Sequence, residues 1–271
     1  MSYGTLMVQV DLGRHSANRI KVAASLADRF GAQLIGVAGC EPALPIMLDS
    51  TFLLDEALMA EAEQRASEAV ERAAAHFRET LGGRNNTQWR STLSSPTEFL
   101  VEQARAADLI VVERGGPDDH KDWQLGVSPG DVLMAAGRPV LIVPPAKSVT
   151  ASRIVVAWSN SREARRATLD ALPLLRAAEE VLVVAVGTAS QDESAKDVVS
   201  WLGRHGVTAQ TDLVATPEGS TTHELLLRAD RFGADLIVAG AYGHSRMREW
   251  MLGGVTRQLL TAAPICCLMS H

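Results

Sequence analysis

The chain repeats itself, and that repetition limits its fold more than any single motif does, because one topology has to serve twice. Asp108-Leu-Ile-Val-Val-Glu113-Arg-Gly-Gly116 aligns with Asp235-Leu-Ile-Val-Ala-Gly240-Ala-Tyr-Gly243. Glu98-Phe-Leu100 and Glu224-Leu-Leu226 open matching helical stretches upstream. Both halves close in a proline-led apolar strand, Pro139-Val-Leu-Ile-Val143 and Pro264-Ile-Cys-Cys-Leu268, and they open alike, with Leu6-Met-Val-Gln-Val-Asp11 against Ile154-Val-Val-Ala-Trp-Ser159. The first half is longer, and its extra residues fall in a strongly helical tract between Leu54 and Leu81 that contains no glycine or proline. The Pro144–Thr150 segment reads as a linker. Two domains are expected, 1–146 and 150–271.

Each half alternates short apolar runs with helical patterns. In the second half, strands are expected near 153–158, 180–187, 209–215, 235–239 and 264–269, and helices near 161–177, 192–205, 221–232 and 254–263. Such alternation implies βαβ crossovers and a parallel sheet covered on both faces. The fold class is therefore α/β: two doubly wound five-stranded parallel-sheet domains in tandem, with strand order 3-2-1-4-5. In that arrangement ligands bind beyond the carboxyl ends of the strands where the order reverses, between strands 1 and 4.

Composition narrows the partners. Lys+Arg 26 against Asp+Glu 32 leaves a net charge of −6 without long single-sign runs. That balance argues against nucleic acid and membrane surfaces, which favour a basic face. Aromatic residues at 4% leave little for base-stacking platforms. Cys40, Cys266 and Cys267 do not form a disulfide framework, and the adjacent pair sits in an apolar run as small core residues. With no cationic segment before an apolar leader and no membrane-length apolar run, a cytoplasmic location is expected.

The segment after Asp235-Leu-Ile-Val-Ala239 carries glycines at Gly240, Gly243 and Gly253 before a second helical pattern. Glycines at the rims of a strand-to-helix loop let backbone N–H groups approach an anion, and the helix start adds a positive dipole end. A plain glycine turn is the alternative reading. His244 and Arg246 in the same loop could neutralise phosphate charge, or could simply be exposed loop residues. Trp250-Met-Leu252 is more apolar than a free loop requires and is expected to pack against protein.

This G-x2-G-x9-G pattern, after the fourth strand of a five-stranded unit with a proline-led last strand, resembles the universal stress protein family. The resemblance covers nearly the whole chain as a tandem and implies a Rossmann-like, HUP-type fold. In nucleotide-binding members the loop holds the phosphates and ribose of ATP, the residue after the last glycine is Ser or Thr, an acid closes strand 1 near the adenine, and a strand 2 residue packs on the base. Carried across, the candidate contacts are Ala157, Ser159, Val186, Ala239, Gly240, Gly243, His244, Arg246, Gly253, Gly254, Val255 and Thr256. Two depart from the pattern. Gly254 occupies the Ser/Thr position, with Thr256 offering a nearby hydroxyl, and Ser159 replaces the acid. Val186 is the strand 2 wall. The resemblance implies ATP, or AMP or ADP, with or without Mg²⁺, and a role in stress response or signalling. It also implies pairing of the two halves through their last strands, and a further homodimer is compatible with it.

The first half has the converse pattern. Asp11 stands at the strand 1 acidic position, but Glu113 replaces the first glycine, and Asp118 and Asp119 follow. Carboxylates there would repel phosphate, so loss of nucleotide binding is expected. Trp158, at the end of strand 1, is either a pocket wall or a core residue. His15 lies near a helix start without a matching nucleophile, and no His/Cys/Asp/Glu cluster has metal-site spacing. The lysine-bearing phosphate loop and the G-x-S-x-G elbow are both absent. No catalysis is assigned, and any ATP hydrolysis should be slow. The competing reading is a stress-response scaffold with degenerate pockets. A related ligase or pyrophosphatase lacks its Ser-Gly-Gly loop here.

Overall fold

The computed structural model describes residues 2–43, 56–116, 122–187, 189–215, 217, 219–243 and 254–271. The first half runs β1 (Thr5–Gln9), α1 (Ser16–Phe30), β2 (Gln33–Gly39), α2 (Glu56–Leu81), β3 (Thr87–Thr92), α3 (Pro96–Gln103), β4 (Leu109–Glu113), α4 (Pro129–Ala135) and β5 (Val140–Val143). The second runs β6 (Arg153–Trp158), α5 (Arg162–Asp170), α6 (Leu172–Ala177), β7 (Glu180–Val186), α7 (Ala189–Arg204), β8 (Ala209–Val214), α8 (Thr221–Phe232), β9 (Leu236–Gly240), α9 (Val255–Ala262) and β10 (Cys266–Ser270).

All ten strands form one sheet in the order β3-β2-β1-β4-β5-β10-β9-β6-β7-β8. Each half has the expected 3-2-1-4-5 order, and neighbours within a half are parallel. The halves meet where β5 and β10 pair antiparallel, Leu141 opposite Leu268 and Val140 opposite Met269. Each of these strands therefore has a neighbour on both sides, and neither leaves a free edge for a second copy. The outer edges are β3 and β8, whose residues are largely half-exposed or exposed.

Helices cover both faces, so central strands are buried on both sides and read as continuous apolar runs. Leu109, Ile110, Val111 and Val112 of β4 are fully buried, each contributing about 1.5–3 kcal/mol relative to exposure. Alternate residues feed two cores: Leu6, Val8 and Leu109 on the face of α1, α2, α5 and α7, Met7, Ile110 and Ile237 on the other. Cys40, Cys266 and Cys267 are buried free thiols. Burial pushes Cys266 up to about 12. Among the described residues, no helix is long and apolar enough to cross a membrane.

Two boundaries differ from expectation. The helix expected over 161–177 is two helices, because Pro173 has no N–H to donate to Leu169 and its ring crowds that carbonyl. Gly240 belongs to β9, paired with Ser270 of β10. As expected, the tract between Leu54 and Leu81 is helical, the 26-residue α2 against 16 residues in its counterpart α7.

Candidate functional site

Polar chemistry in the second half gathers where β6 and β9 diverge, the point of strand-order reversal. A cleft of about 500 Å³ opens there. Ala157 and Ser159 reach it from the end of β6, Val186 from β7, Ala239, Gly240 and Gly243 from the end of β9, and Gly254, Val255 and Thr256 from the start of α9. These candidates, scattered through the sequence, thus share one cavity. His244, Arg246 and Gly253 lie outside the described residues, as does Trp250-Met-Leu252. The cleft also takes in Trp158, Ser161, Val184, Gln191, Thr221 and Leu225, which sequence reasoning did not assign to it, apart from Trp158. Thr221 and Leu225 sit on α8, after strand 3 of the repeat, and no local motif marks them. Trp158 fulfils both of its readings: it is 7% exposed, packs in the core, and walls the cleft.

Gly240 and Gly243 play different parts. A Cβ on Gly240 would lie 2.4 Å from the Ala164 amide nitrogen and 2.5 Å from the Glu163 carbonyl carbon. Only glycine lets α5 come so close to the end of β9. On Gly243 a Cβ would meet only side-chain atoms, Glu163 Oε2 at 2.8 Å and Ser161 Oγ at 3.2 Å.

Some of the loop's amides are already engaged. Ala241 N–H donates to the Ser270 carbonyl at 2.9 Å. Tyr242, in the left-handed region at φ 57°, donates its N–H to Thr256 Oγ1 at 3.1 Å. Thr256 is buried, and having accepted there it keeps its own hydroxyl proton to donate. Anion-holding capacity is concentrated at the start of α9. Its N-cap is Gly254, which supplies no capping side chain, and no acidic residue lies in its first turn, so the first-turn N–H groups have no side-chain cap where Gly254, Val255 and Thr256 line the cleft.

One carboxylate lies close by. Glu163, at the start of α5, is 6% exposed. Burial raises its pKa, but its own backbone amide, the Ser161 hydroxyl and Arg162 outweigh that and hold it below the usual range. Arg162 Nη2 is 2.9 Å from Glu163 Oε1. Ser161 also caps α5, accepting from Ala164 N–H at 3.1 Å. An ionised carboxylate therefore stands beside Gly243, which favours phosphate oxygens near α9 over positions near Gly243.

The equivalent place in the first half is plugged. Arg19 is 1% exposed; its Nη2 is 2.9 Å from Asp11 Oδ2 and its Nη1 2.9 Å from Glu113 Oε2. Its Nε donates to the Gln9 carbonyl, while Gln9 Nε2 donates to Asp11 Oδ2 and to the carbonyl of buried Leu125. About 10 Å³ remains. Burial raises the Asp11 carboxyl, but Arg19 and hydrogen bonds from Gln9 and Gly13 outweigh it and hold it low. Burial dominates at Glu113 and, with Asp11 adding to it against Arg19, pushes that group up. The first half is closed by a filled ion-pair cluster. Glu113, expected to repel phosphate, is paired with Arg19, and the cluster fills the space a ligand would need. Asp118 and Asp119 lie outside the described residues.

The two sites are the same four positions filled differently. Leu6 pairs with Leu109 as Ile154 pairs with Leu236. In that register Gln9, Asp11, Arg19 and Glu113 correspond to Ala157, Ser159, Ala167 and Gly240. Burial agrees, with Ser16, Arg19, Ile20 and Ala23 of the first half matching Ala164, Ala167, Thr168 and Ala171. Arg19 was missed as a site residue because a lone arginine on an amphipathic helix looks like surface.

A duplicated doubly wound sheet, with a cleft open at one switch point and filled at the other, defines a tandem α/β protein. The chain belongs to the universal stress protein family: the family's sequence pattern matches residues 2–144 and again 150–271. A universal stress protein from Archaeoglobus fulgidus DSM 4304 shares the fold at 16% identity and TM-score 0.70, covering 100% of this chain and 96% of that one. A functionally unknown protein from Pseudomonas aeruginosa PAO1 does so at 15% identity and TM-score 0.61, covering 99% and 92%. No curated protein sequence matches the chain.

Proposed function

We propose that the C-terminal half binds an adenine nucleotide, ATP first among the candidates, and that the N-terminal half is a permanently closed partner fused to it. The observation that carries this reading is the asymmetry of the repeat. Small residues at Ala157, Ser159, Ala167 and Gly240 accompany a cleft of about 500 Å³, within the range of roughly 300–1,000 Å³ typical of small-molecule sites. In this reading the start of α9 and the Thr256 hydroxyl receive phosphate oxygens, and Val186 packs on the base. Binding is the proposed activity; occupancy would bias conformation or partner choice in a stress response.

Calorimetric titration with ATP, with and without Mg²⁺, tests the reading, together with mass spectrometry of small molecules released from the denatured protein. Val186→Trp fills the base end of the cleft and should weaken ATP at least tenfold. Absence of heat and of any thermal shift at millimolar nucleotide would defeat the proposal. A second reading, a scaffold without nucleotide, is favoured by the engaged Ala241 and Tyr242 amides and by Glu163 beside Gly243. Partner capture or stress survival that is unchanged in Val186→Trp would select it.

A further inference from the structure

A second cavity, of about 580 Å³, lies on the other side of Trp158, between α5 and α7. The repeat explains its presence. In the first half α1 and α2 pack directly on one another, because the buried stripe of α2 is mostly alanine, Ala62, Ala66, Ala69 and Ala73. The counterpart helix α7 instead carries Trp201, and Thr168 of α5 stands where the first half has the larger Ile20. Space is left between the helices, and it is lined by Trp158, Thr168, Leu169, Val198 and Trp201.

Two details point to a ligand. Leu169 is 50% exposed, and its counterpart in the first half is Lys21, so a solubilising residue has been replaced by an apolar one at the mouth of the cavity. The indoles are also fixed in place. Trp158 Nε1 donates to Ser194 Oγ at 3.0 Å, and Ser194 donates to the Gln191 carbonyl; Trp201 packs against His205 with ring centroids 4.2 Å apart and the planes tilted by 50°. Rigid aromatic walls suit a flat apolar body.

The rim supplies the charge preference. Arg165 and Arg204 face one carboxylate, Asp197, leaving one net positive charge. Arg165 is held by Asn160, with Nη1 donating to its carbonyl and to Oδ1 at 3.2 and 3.1 Å. Among the described residues Arg204 makes no ion pair.

We propose that the α5–α7 cavity binds a planar aromatic monoanion, an aryl carboxylate or sulfonate, with the ring between the tryptophan walls and the acid at the arginine rim. The site does not depend on the nucleotide reading. The probe is 2-naphthoate, followed by saturation-transfer NMR and tryptophan fluorescence, with neutral 2-naphthylmethanol for comparison. Saturable binding is expected. Leu169→Lys, at an exposed position that should leave folding intact, should weaken it at least fivefold, and Trp201→Ala at least tenfold. Arg204→Gln should weaken 2-naphthoate about two- to fivefold, the scale of an exposed ion pair, and leave the alcohol unchanged. Binding should persist in Val186→Trp, whose nucleotide cleft is filled. Three results would each overturn the proposal: no saturation at millimolar probe, indifference to both Leu169→Lys and Trp201→Ala, or loss of binding in Val186→Trp alone.

Discussion

Replacing Gly240 by alanine isolates the physical role of the loop's first glycine. The added Cβ would sit 2.4 Å from Ala164 N and 2.5 Å from Glu163 C, both backbone atoms of α5. No rotamer relieves a backbone clash, so the start of α5 must withdraw by about 1 Å to regain ordinary contact, which disturbs a close-packed interior. Overpacking of this kind costs about 1–3 kcal/mol, and with three backbone atoms inside 3 Å the upper end applies. At roughly 2–4 °C per kcal/mol for a domain of similar size, the melting midpoint should fall by about 6–12 °C. Gly243→Ala is the control. Its Cβ meets only Glu163 Oε2 and Ser161 side-chain atoms, which can move, so its midpoint should stay within about 3 °C of wild type, a loss below about 1 kcal/mol. Thermal unfolding by circular dichroism measures both. If Gly240→Ala melts with wild type, or if the two variants lose equal stability, the close approach of α5 to β9 is not what selects glycine at position 240.

Arg19→Ala strands Asp11 and Glu113 without their buried partner and should lower stability by about 3–5 kcal/mol at neutral pH. Because protonation then neutralises both carboxyls, the deficit should shrink as pH falls into the carboxylate range, as urea denaturation at pH 7 and pH 5 would record. Glu113→Gln tests the sign of a raised carboxyl. Wild type loses stability as pH climbs from the unfolded carboxylate range, about 4.3, through the higher folded value. The variant lacks that loss, so its stability relative to wild type should improve with rising pH; a constant difference across that window would refute the assignment. Cys40, Cys266 and Cys267 are all buried, and burial raises all three thiols. A thiol-reactive disulfide reagent at pH 8 should leave them unmodified until denaturant is added, and rapid native labelling would contradict their burial.

The duplication, the α/β class, the strand order and the position of the crevice were all legible in the sequence. They follow from short-range regularities: apolar runs long enough for strands, helical patterns between them, and the same order of both in each half. Gly240 could be placed at the crevice on that basis, since topology brings the ends of strands 1 and 4 together; Val186 and Thr256 were placed there by the resemblance to the family. Pro173 shows the limit of pattern alone, because the apolar periodicity runs on through a residue whose missing N–H splits the helix.

What tertiary structure decided is how the first half is closed. Along the chain Glu113 reads only as a charge set against phosphate, and only the fold carries Arg19 between it and Asp11. Likewise Gly240 looks like a phosphate-loop glycine until α5 is seen resting on it, and Leu169 is one more leucine until Lys21 is found at the matching position. Pattern sets which elements form and their order, because those depend on neighbouring residues. Filling of a cavity depends on side chains far apart in sequence meeting in one volume, and that is settled only when the sheet has brought them there.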